Sequence, residues 1–343
     1  MNYTMLGKTD LKVSELGFGC IPIIRLATEE AVKVLRHAFD KGITFYDTAN
    51  AYRDSEQKIG LAFRGMRHQV VIASKTMRRD GAGAMEHLEN SLRMLQTDYI
   101  DLFQLHQVAT EPDWQKVIAP GGALDALRKA QEQGKIRYIG VTSHSREMAM
   151  QLIRTQLFST VQFPFNFIED AAKDDLHPLA RELGLGILVM KPFAGGMIDN
   201  APLAYKFLRQ YPDLLTIPGF DSIASVDEIT SFYAKPNQVT EEDLAGMERY
   251  RQELGQQFCR RCEYCQPCPH GVMITPAMGY QVVASRMSPP VAVDFIYTPM
   301  STVPKCTECG LCIQRCPYDL PIPTMLKKHH RMWEEHKVAC GKR

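Results

Sequence analysis

Eight of the ten cysteines in this 343-residue chain fall into two short groups. Cys259, Cys262, Cys265 and Cys268 follow one another at intervals of three and end on Pro269. Cys306, Cys309 and Cys312 repeat the interval, and Cys316 follows four residues later, before Pro317. A disulfide framework spreads its cysteines, whereas spacings this tight belong to metal ligands. The second group has the spacing of a bacterial ferredoxin run, and the first is one residue short before its last cysteine. Three close thiolates wrap one cube, and the remote fourth reaches across to the other. Cys259, Cys262, Cys265 and Cys316 are therefore expected to hold one [4Fe-4S] cluster, and Cys306, Cys309, Cys312 and Cys268 the second. Two zinc sites of four cysteines each are the alternative use of the same thiolates. Repeated CxxC steps ending in Cys-Pro favour iron. Cys20 and Cys340 stand apart and are expected to carry no ligand. His270 and the His329–His330 pair are expected to be solvated.

A second group of reactive types lies far upstream: Asp47, Tyr52, Lys75 and His106. A free phenol, with a pKa of about 10, is a poor acid at neutral pH. An adjacent ammonium stabilises the phenolate, and a carboxylate anchors the ammonium. An imidazole orients a carbonyl by hydrogen bonding or shares the proton. Together they form a general acid/base set for interconverting a carbonyl and an alcohol, provided that the fold brings four separated positions together.

The elements between them supply such a fold. From about residue 14 to 235, short β-type runs alternate with amphipathic stretches, as expected of βα units around a parallel sheet. Eight strands are predicted, at 16–20, 43–47, 70–74, 100–105, 137–141, 160–163, 186–190 and 215–218. Eight such units close into a (β/α)8 barrel more readily than into an open sheet. Asp47, Lys75 and His106 then fall at the ends of strands two, three and four, the rim where barrel active sites are built. Residues 3–13 are expected to form a hairpin across the barrel floor. Thr28 is expected to cap the first helix and Gly42 to close it, while Ser225 and Glu228 form a capping box on the last. A further helix starts at 240–243. Beyond it the rhythm gives way to a Cys- and Pro-rich segment with short helical pieces. The boundary is placed near 250: a barrel over 1–250 and a small, mostly helical ferredoxin-like iron–sulfur domain over 251–343.

Lys plus Arg number 40 and Asp plus Glu 39, leaving a net charge of +1. So balanced a chain has no general attraction for nucleic acid or an anionic membrane. No apolar stretch approaches the roughly 18 residues of a membrane span. Residues 1–10 lack the basic and apolar runs of a signal peptide. A soluble, cytoplasmic protein is expected, in a compartment where thiolates survive to bind iron.

Over nearly its first 235 residues the chain resembles the aldo-keto reductases. The carrying segments are 6–19 (LGKTDLKVSELGFG), 45–52 (FYDTANAY) with Ser55, Glu56, Ile59 and Gly60 after it, 73–75 (ASK), 91–106 (SLRMLQTDYIDLFQLH) and 134–141 (GKIRYIGV). The resemblance makes Asp47, Tyr52, Lys75 and His106 the family's complete catalytic tetrad. With the cysteine-rich tail, the chain is similar to a subgroup bearing a C-terminal ferredoxin-like domain with two [4Fe-4S] clusters.

No Gly-x-Gly-x-x-Gly fingerprint is present, so an NAD(P)(H) cofactor is implied by the resemblance alone. It places Thr142, Ser143 and Gln162 on the carboxamide, and Gly19, Cys20 and Ile21 near the nicotinamide ring. Met190 stands where many relatives have a stacking aromatic, with Pro192 following; barrel-core filling is the competing role for Met190. The stretch with Gly219, Asp221, Ser222, Ser225 and Glu228 falls at the adenosine end. Relatives that prefer NADPH usually carry Lys or Arg there, and this chain has none from 217 to 228. Asp221 would repel a 2′-phosphate and accept a ribose hydroxyl, so NADH preference, or weak discrimination, is expected.

Three functions fit these features. The first is an NAD(P)H-dependent oxidoreductase on a small aldehyde, ketone or alcohol, with Tyr52 as general acid/base and clusters that brace the C-terminal module. The second is a cluster-wired redox enzyme exchanging single electrons with an external electron-carrier protein. The third is a non-enzymatic redox sensor, against which the intact tetrad speaks. Trp114, in the loop after the fourth strand, is a candidate for the substrate mouth or for ordinary packing.

Overall fold

A computed structural model of the protein describes residues 1–343 except 255–258, 262, 285, 286, 317 and 343. The chain opens with an antiparallel pair, β1 (Tyr3–Met5) and β2 (Lys12–Ser14), in register Tyr3 to Ser14. Leu6, Leu11 and Val13 of this hairpin are buried against Phe45, Ala73, Leu102, Leu188, Leu215 and Ile217 from the strands. That contact is why the short hairpin holds its place on the barrel floor.

Eight parallel strands follow: β3 (Phe18–Gly19), β4 (Phe45–Asp47), β5 (Val71–Thr76), β6 (Ile100–Leu105), β7 (Ile136–Thr142), β8 (Thr160–Pro164), β9 (Gly186–Met190) and β10 (Leu214–Thr216). They neighbour one another in sequence order from β3 to β10. Parallel bridges join the two ends, Leu16 to Thr216 and Gly19 to Gly219. Gly17 N donates to Thr216 O at 2.8 Å and Gly19 N to Pro218 O at 2.6 Å. The result is the (β/α)8 barrel. Strands covered by helices on one side and by their own interior on the other are apolar on both faces, and every residue of β6 is buried. Among the buried polar strand residues, Asp47, Lys75, Gln104, Thr142 and Gln162 lie at or near the C-terminal ends of their strands, while Asp101 and Thr160 lie at the opposite ends.

Two helix starts differ from expectation. The first helix, Thr28–Asp40, is capped by Ala27, with no side-chain cap bond, so Thr28 is its first helical residue. Glu29 and Glu30 lie in its first turn, and Gly42, at φ +92°, donates to Phe39 O at its close. The helix after β10, Ile223–Tyr233, starts three residues before the expected capping box. Ser222 is already extended and its Oγ accepts from Ser225 N at 3.1 Å. Ser225 is thereby drawn into the first turn, its own Oγ donating to Ser222 O.

The chain divides into two compact units, residues 1–192 with 200–240, and residues 193–199 with 241–343. The second is mostly helical, from Glu241–Leu254 through short helices at Ile274–Met278, Tyr280–Ala284, Pro289–Phe295, Tyr297–Thr302 and Leu311–Gln314 to the long Ile322–Ala339. Its core gathers Val272, Met278, Tyr280, Val293, Met300, Leu326 and Trp333 with Cys265 and Cys316. The Trp333 indole donates to Val293 O at 3.2 Å, so its one polar atom is satisfied within that core. No helix among the described residues is long and apolar enough to cross a membrane.

Candidate active site

Asp47 ends β4, Lys75 sits one residue from the end of β5, and His106 follows β6 directly. Parallel pairing in register, with Asp47 beside Ala73 and Lys75 beside Gln104, sets these positions side by side at one rim. Lys75 Nζ donates to Asp47 Oδ2 at 2.7 Å and to Thr48 O at 2.6 Å. The same ammonium lies 5.2 Å from the centre of the Tyr52 ring. Tyr52 meets the His106 ring edge-on, 5.9 Å between centroids at 81°. The four groups that sequence spacing separates are brought together.

Other side chains fix this arrangement. Gln104 Nε2 donates to Asp47 Oδ1 at 3.3 Å and Gln162 Nε2 to Asp47 Oδ2 at 3.4 Å. The loop that carries Tyr52 is tied at both ends. Ser55 Oγ lies 2.8 Å from Thr48 Oγ1 and donates to Cys20 O, while Ser74 Oγ donates to the buried carboxyl of Glu56. Arg79 Nη2 donates to the carbonyls of His106 and Gln107, each at 2.9 Å. Sequence reasoning missed Gln104 and Arg79. Both sit beside recognised segments, but nothing in type or spacing says that their partners lie across the rim.

The electrostatics assign charge states. Burial works against the Lys75 ammonium, but Asp47 first and Tyr52 next outweigh it, and its pKa stands above the ordinary lysine value. Burial, reinforced by the cations Lys75 and Arg79, brings His106 down to about 3, so the imidazole is neutral at physiological pH. A neutral imidazole orients an oxygen; it does not arrive with a spare proton. Cys20 is fully buried, and burial first, then Asp47, pushes its thiol well up, so it is no nucleophile.

The positions expected to hold the cofactor lie at or near the ends of β3, β7, β8 and β9 and in the segment and helix after β10. Gln162 Oε1 is buried without a hydrogen-bond partner, an acceptor that fits an amide N–H such as a nicotinamide carboxamide offers. Thr142 Oγ1 accepts from Gln107 N at 2.7 Å, and Ser143 Oγ bonds locally to Ser145. Both side chains are buried. Met190 is half-buried at the end of β9 and packs on the barrel-interior cluster. Gly219, Asp221, Ser222, Ser225 and Glu228 lie on the segment leaving β10 and in the first turns of its helix. Asp221 forms an ion pair at 3.3 Å with Arg25, at the end of the 3-10 turn Pro22–Arg25 after β3. Nothing in the segment after the last strand points to this cation, which lies almost 200 positions upstream. Trp114 is buried against Phe158, centroids 6.0 Å apart, so packing accounts for it.

In the second unit, Cys268, Cys306, Cys309 and Cys312 line a single hollow, together with Cys265. The four residues expected to share one cube thus line one space, and soft thiolates are the donors iron–sulfur clusters take. Of the other set, Cys265 and Cys316 are buried and Cys259 is partly buried. Cys262 lies outside the described residues. His329 is not solvated as expected: it is 3% exposed and lines a second hollow with Cys259. Its neighbours in the run Lys327, Lys328, His330 and Arg331 read as a solvated face, but one position in that helix turn points inward to the core.

The barrel, and the rim where a carboxylate, an ammonium, a phenol and an imidazole meet, define an oxidoreductase scaffold of the aldo-keto reductase kind. The sequence profile of the aldo/keto reductase family matches residues 15–206, more than half of the chain, and the protein belongs to that family. A 4Fe-4S dicluster domain matches residues 258–320. Probable aldo-keto reductase 1 of Glycine max is 29% identical over 265 residues, covering 70% of this chain and 74% of its own. An aldo-keto reductase of Bacillus halodurans superposes with a TM-score of 0.62 over 73% of this chain and 96% of its own, at 24% identity. An aldo-keto reductase of Klebsiella pneumoniae, solved in complex with NADPH, gives a TM-score of 0.61 at 27% identity over 72% of this chain and 96% of its own. The protein is an oxidoreductase of the aldo-keto reductase type joined to a 4Fe-4S dicluster domain.

Proposed function

We propose that the protein interconverts a small aldehyde or ketone and its alcohol with a nicotinamide dinucleotide, and that Tyr52 is the general acid/base. The observation that carries this is the Lys75 ammonium, locked on Asp47 at 2.7 Å and 5.2 Å from the Tyr52 ring. A bound NAD(P)H supplies the hydride to the carbonyl carbon. The proton for the carbonyl oxygen comes from the Tyr52 hydroxyl, and the phenolate left behind is stabilised by the fixed cation of Lys75. Asp47 holds that cation in place, and Gln104 and Gln162 hold Asp47. His106, neutral, orients the carbonyl oxygen toward the phenol. In the alcohol-oxidising direction the same phenolate takes the hydroxyl proton.

Gly19, Cys20, Thr142, Ser143, Gln162, Met190 and Pro192 would hold the nicotinamide half, and Gly219, Asp221, Ser222, Ser225 and Glu228 the adenosine half. The NADPH bound to the Klebsiella pneumoniae relative supports a nicotinamide dinucleotide as the coenzyme. Preference for NADH rested on Asp221 as an isolated negative charge. Its pairing with Arg25 favours the weaker alternative, in which both coenzymes bind with little discrimination. Replacement Tyr52→Phe should lower turnover of carbonyl substrates about 10²–10⁴-fold. Coenzyme affinity and the visible absorbance of the clusters should be unchanged. Undiminished turnover in that variant removes the mechanism.

Within this reading the barrel, 1–250, performs the chemistry and residues 251–343 carry two [4Fe-4S] clusters, on Cys259, Cys262, Cys265 and Cys316 and on Cys306, Cys309, Cys312 and Cys268. A second function, one-electron exchange with a carrier protein, is favoured by one contrast. Cys309 is exposed and flanked by exposed Leu311 and Ile313, whereas Cys265 and Cys316 are buried. Anaerobic titration followed by EPR tests it: a cluster that no carrier reduces cannot relay electrons.

A further inference from the structure

We propose that Arg25 and Asp221 form a charge-balanced selector for the coenzyme. Arg25 is the cation that receives the 2′-phosphate of NADPH, and Asp221 is the counter-ion that keeps this attraction weak enough for NADH to compete. The proposal rests on the nicotinamide-dependent function above and deepens it.

The two residues leave adjoining ends of the barrel. Asp221 is the residue before the Ser222 cap of the helix Ile223–Tyr233, and Arg25 ends the turn after β3. The segments carrying them touch, because a Cβ on Gly219 would come 2.5 Å from Pro22 Cγ. In barrels of this kind the loops after the last strands and the start of a following helix commonly form the phosphate site. The usual donors of positive charge are missing from that segment, which has no Lys or Arg from 217 to 228. The cations His37 and Lys41 are held by Asp227 of the following helix, each at 2.8 Å. Arg25 remains.

Its setting suits an exchange of partners. The backbone of its turn is fixed, since the buried ammonium of Lys58 donates to Ile23 O at 3.0 Å and to Leu26 O at 2.8 Å. Its side chain is 43% exposed and that of Asp221 48%, and one Nη2–Oδ2 contact of 3.3 Å joins them. An exposed ion pair with a single contact is worth little and is screened by salt. A phosphate offers the same guanidinium a higher charge and two oxygens for its fork of donors. NADPH therefore gains the arginine, but must approach the carboxylate to do so. NADH lacks the phosphate and leaves the ion pair intact, so neither residue acts on it strongly.

The test is isothermal titration of the full-length, cluster-loaded protein with NADPH and with NADH. Arg25→Gln should raise the Kd for NADPH about tenfold, a loss of about 1.4 kcal/mol, and change that for NADH by less than about twofold. Asp221→Asn should move the NADPH value in the opposite direction by a similar factor. Arg25→Lys, which keeps the charge but not the fork, should fall between Arg25→Gln and the unsubstituted protein. Equal weakening of both coenzymes by Arg25→Gln, or no change in either variant, overturns the selector while leaving the nicotinamide-dependent function standing. Binding of neither coenzyme by the unsubstituted protein overturns both.

Discussion

His106 behaves unlike an ordinary histidine because burial and two neighbouring cations, Lys75 and Arg79, all oppose its charged form. Its proton affinity is depressed in the folded protein, to about 3, from the model-peptide 6.5. In that window the unfolded chain binds more protons than the folded one, so folding stability falls as pH drops from about 6.5 toward 3. The effect on the barrel's thermal midpoint is measurable between about pH 7.5 and 5.5. Replacement His106→Gln should make that drop smaller, and an equal drop in both proteins would remove the histidine from the account. For the same reason the acid side of the turnover profile should show no ionisation near the usual histidine value. The meeting of Asp47, Tyr52, Lys75 and His106 at one rim was legible in sequence, since Asp47, Lys75 and His106 sit at successive predicted strand ends and Tyr52 follows five residues after Asp47. Their charge states were not, because those depend on Arg79 and on depth, which only the closed rim supplies. Arg25 was illegible for a related reason. Its partner is almost 200 positions away, and closure of the barrel between β3 and β10 is what makes them neighbours.

At the scale of elements, the eight strands were predictable from alternation alone, and all eight form. Helix starts were less so: Thr28 and Ser225 are good cap residues by type, but the chain turns at Ala27 and Ser222. Propensity ranks candidates within a few residues, and packing decides among them. Lys58 is the element-level device that no pattern announced. It lies on the helix Ser55–Ala62 with its side chain 1% exposed, pairs with Asp54 at 2.9 Å and satisfies the carbonyls of Ile23 and Leu26. Replacement Lys58→Met leaves Leu26 O without its donor and Ile23 O with only the Leu26 N–H, at a cost of about 2–3 kcal/mol. That is a fall of roughly 4–10 °C in the barrel's midpoint. Because the turn then loosens as a whole, affinity for both coenzymes should weaken together, unlike the one-sided loss expected of Arg25→Gln. Calorimetry and paired titrations check both halves, and a variant as stable as the parent would show that the ammonium only fills space.

At the scale of the whole molecule, each unit has its own means of stabilisation. The barrel has a continuous interior from the hairpin residues Leu6 and Leu11 to Ile217. The smaller unit is built differently, for two of the expected cluster ligands, Cys265 and Cys316, belong to its apolar core. Thiolates in such a core repel one another and resist burial unless metal neutralises them, as with the Cys312 thiol, which burial first, then Cys306, pushes up. Metal binding to such a set is therefore also folding free energy. Two calorimetric transitions should follow, one tracking iron content and the other tracking coenzyme. At a hundredfold excess of coenzyme over Kd the linkage amounts to about 2.7 kcal/mol, a rise of roughly 5–10 °C in the barrel transition alone. Removing iron should lower or abolish the other transition and leave the coenzyme-dependent shift in place. If iron removal instead eliminates the coenzyme-dependent shift, the clusters support the barrel's binding site, and the assignment of chemistry to one unit and metal to the other fails.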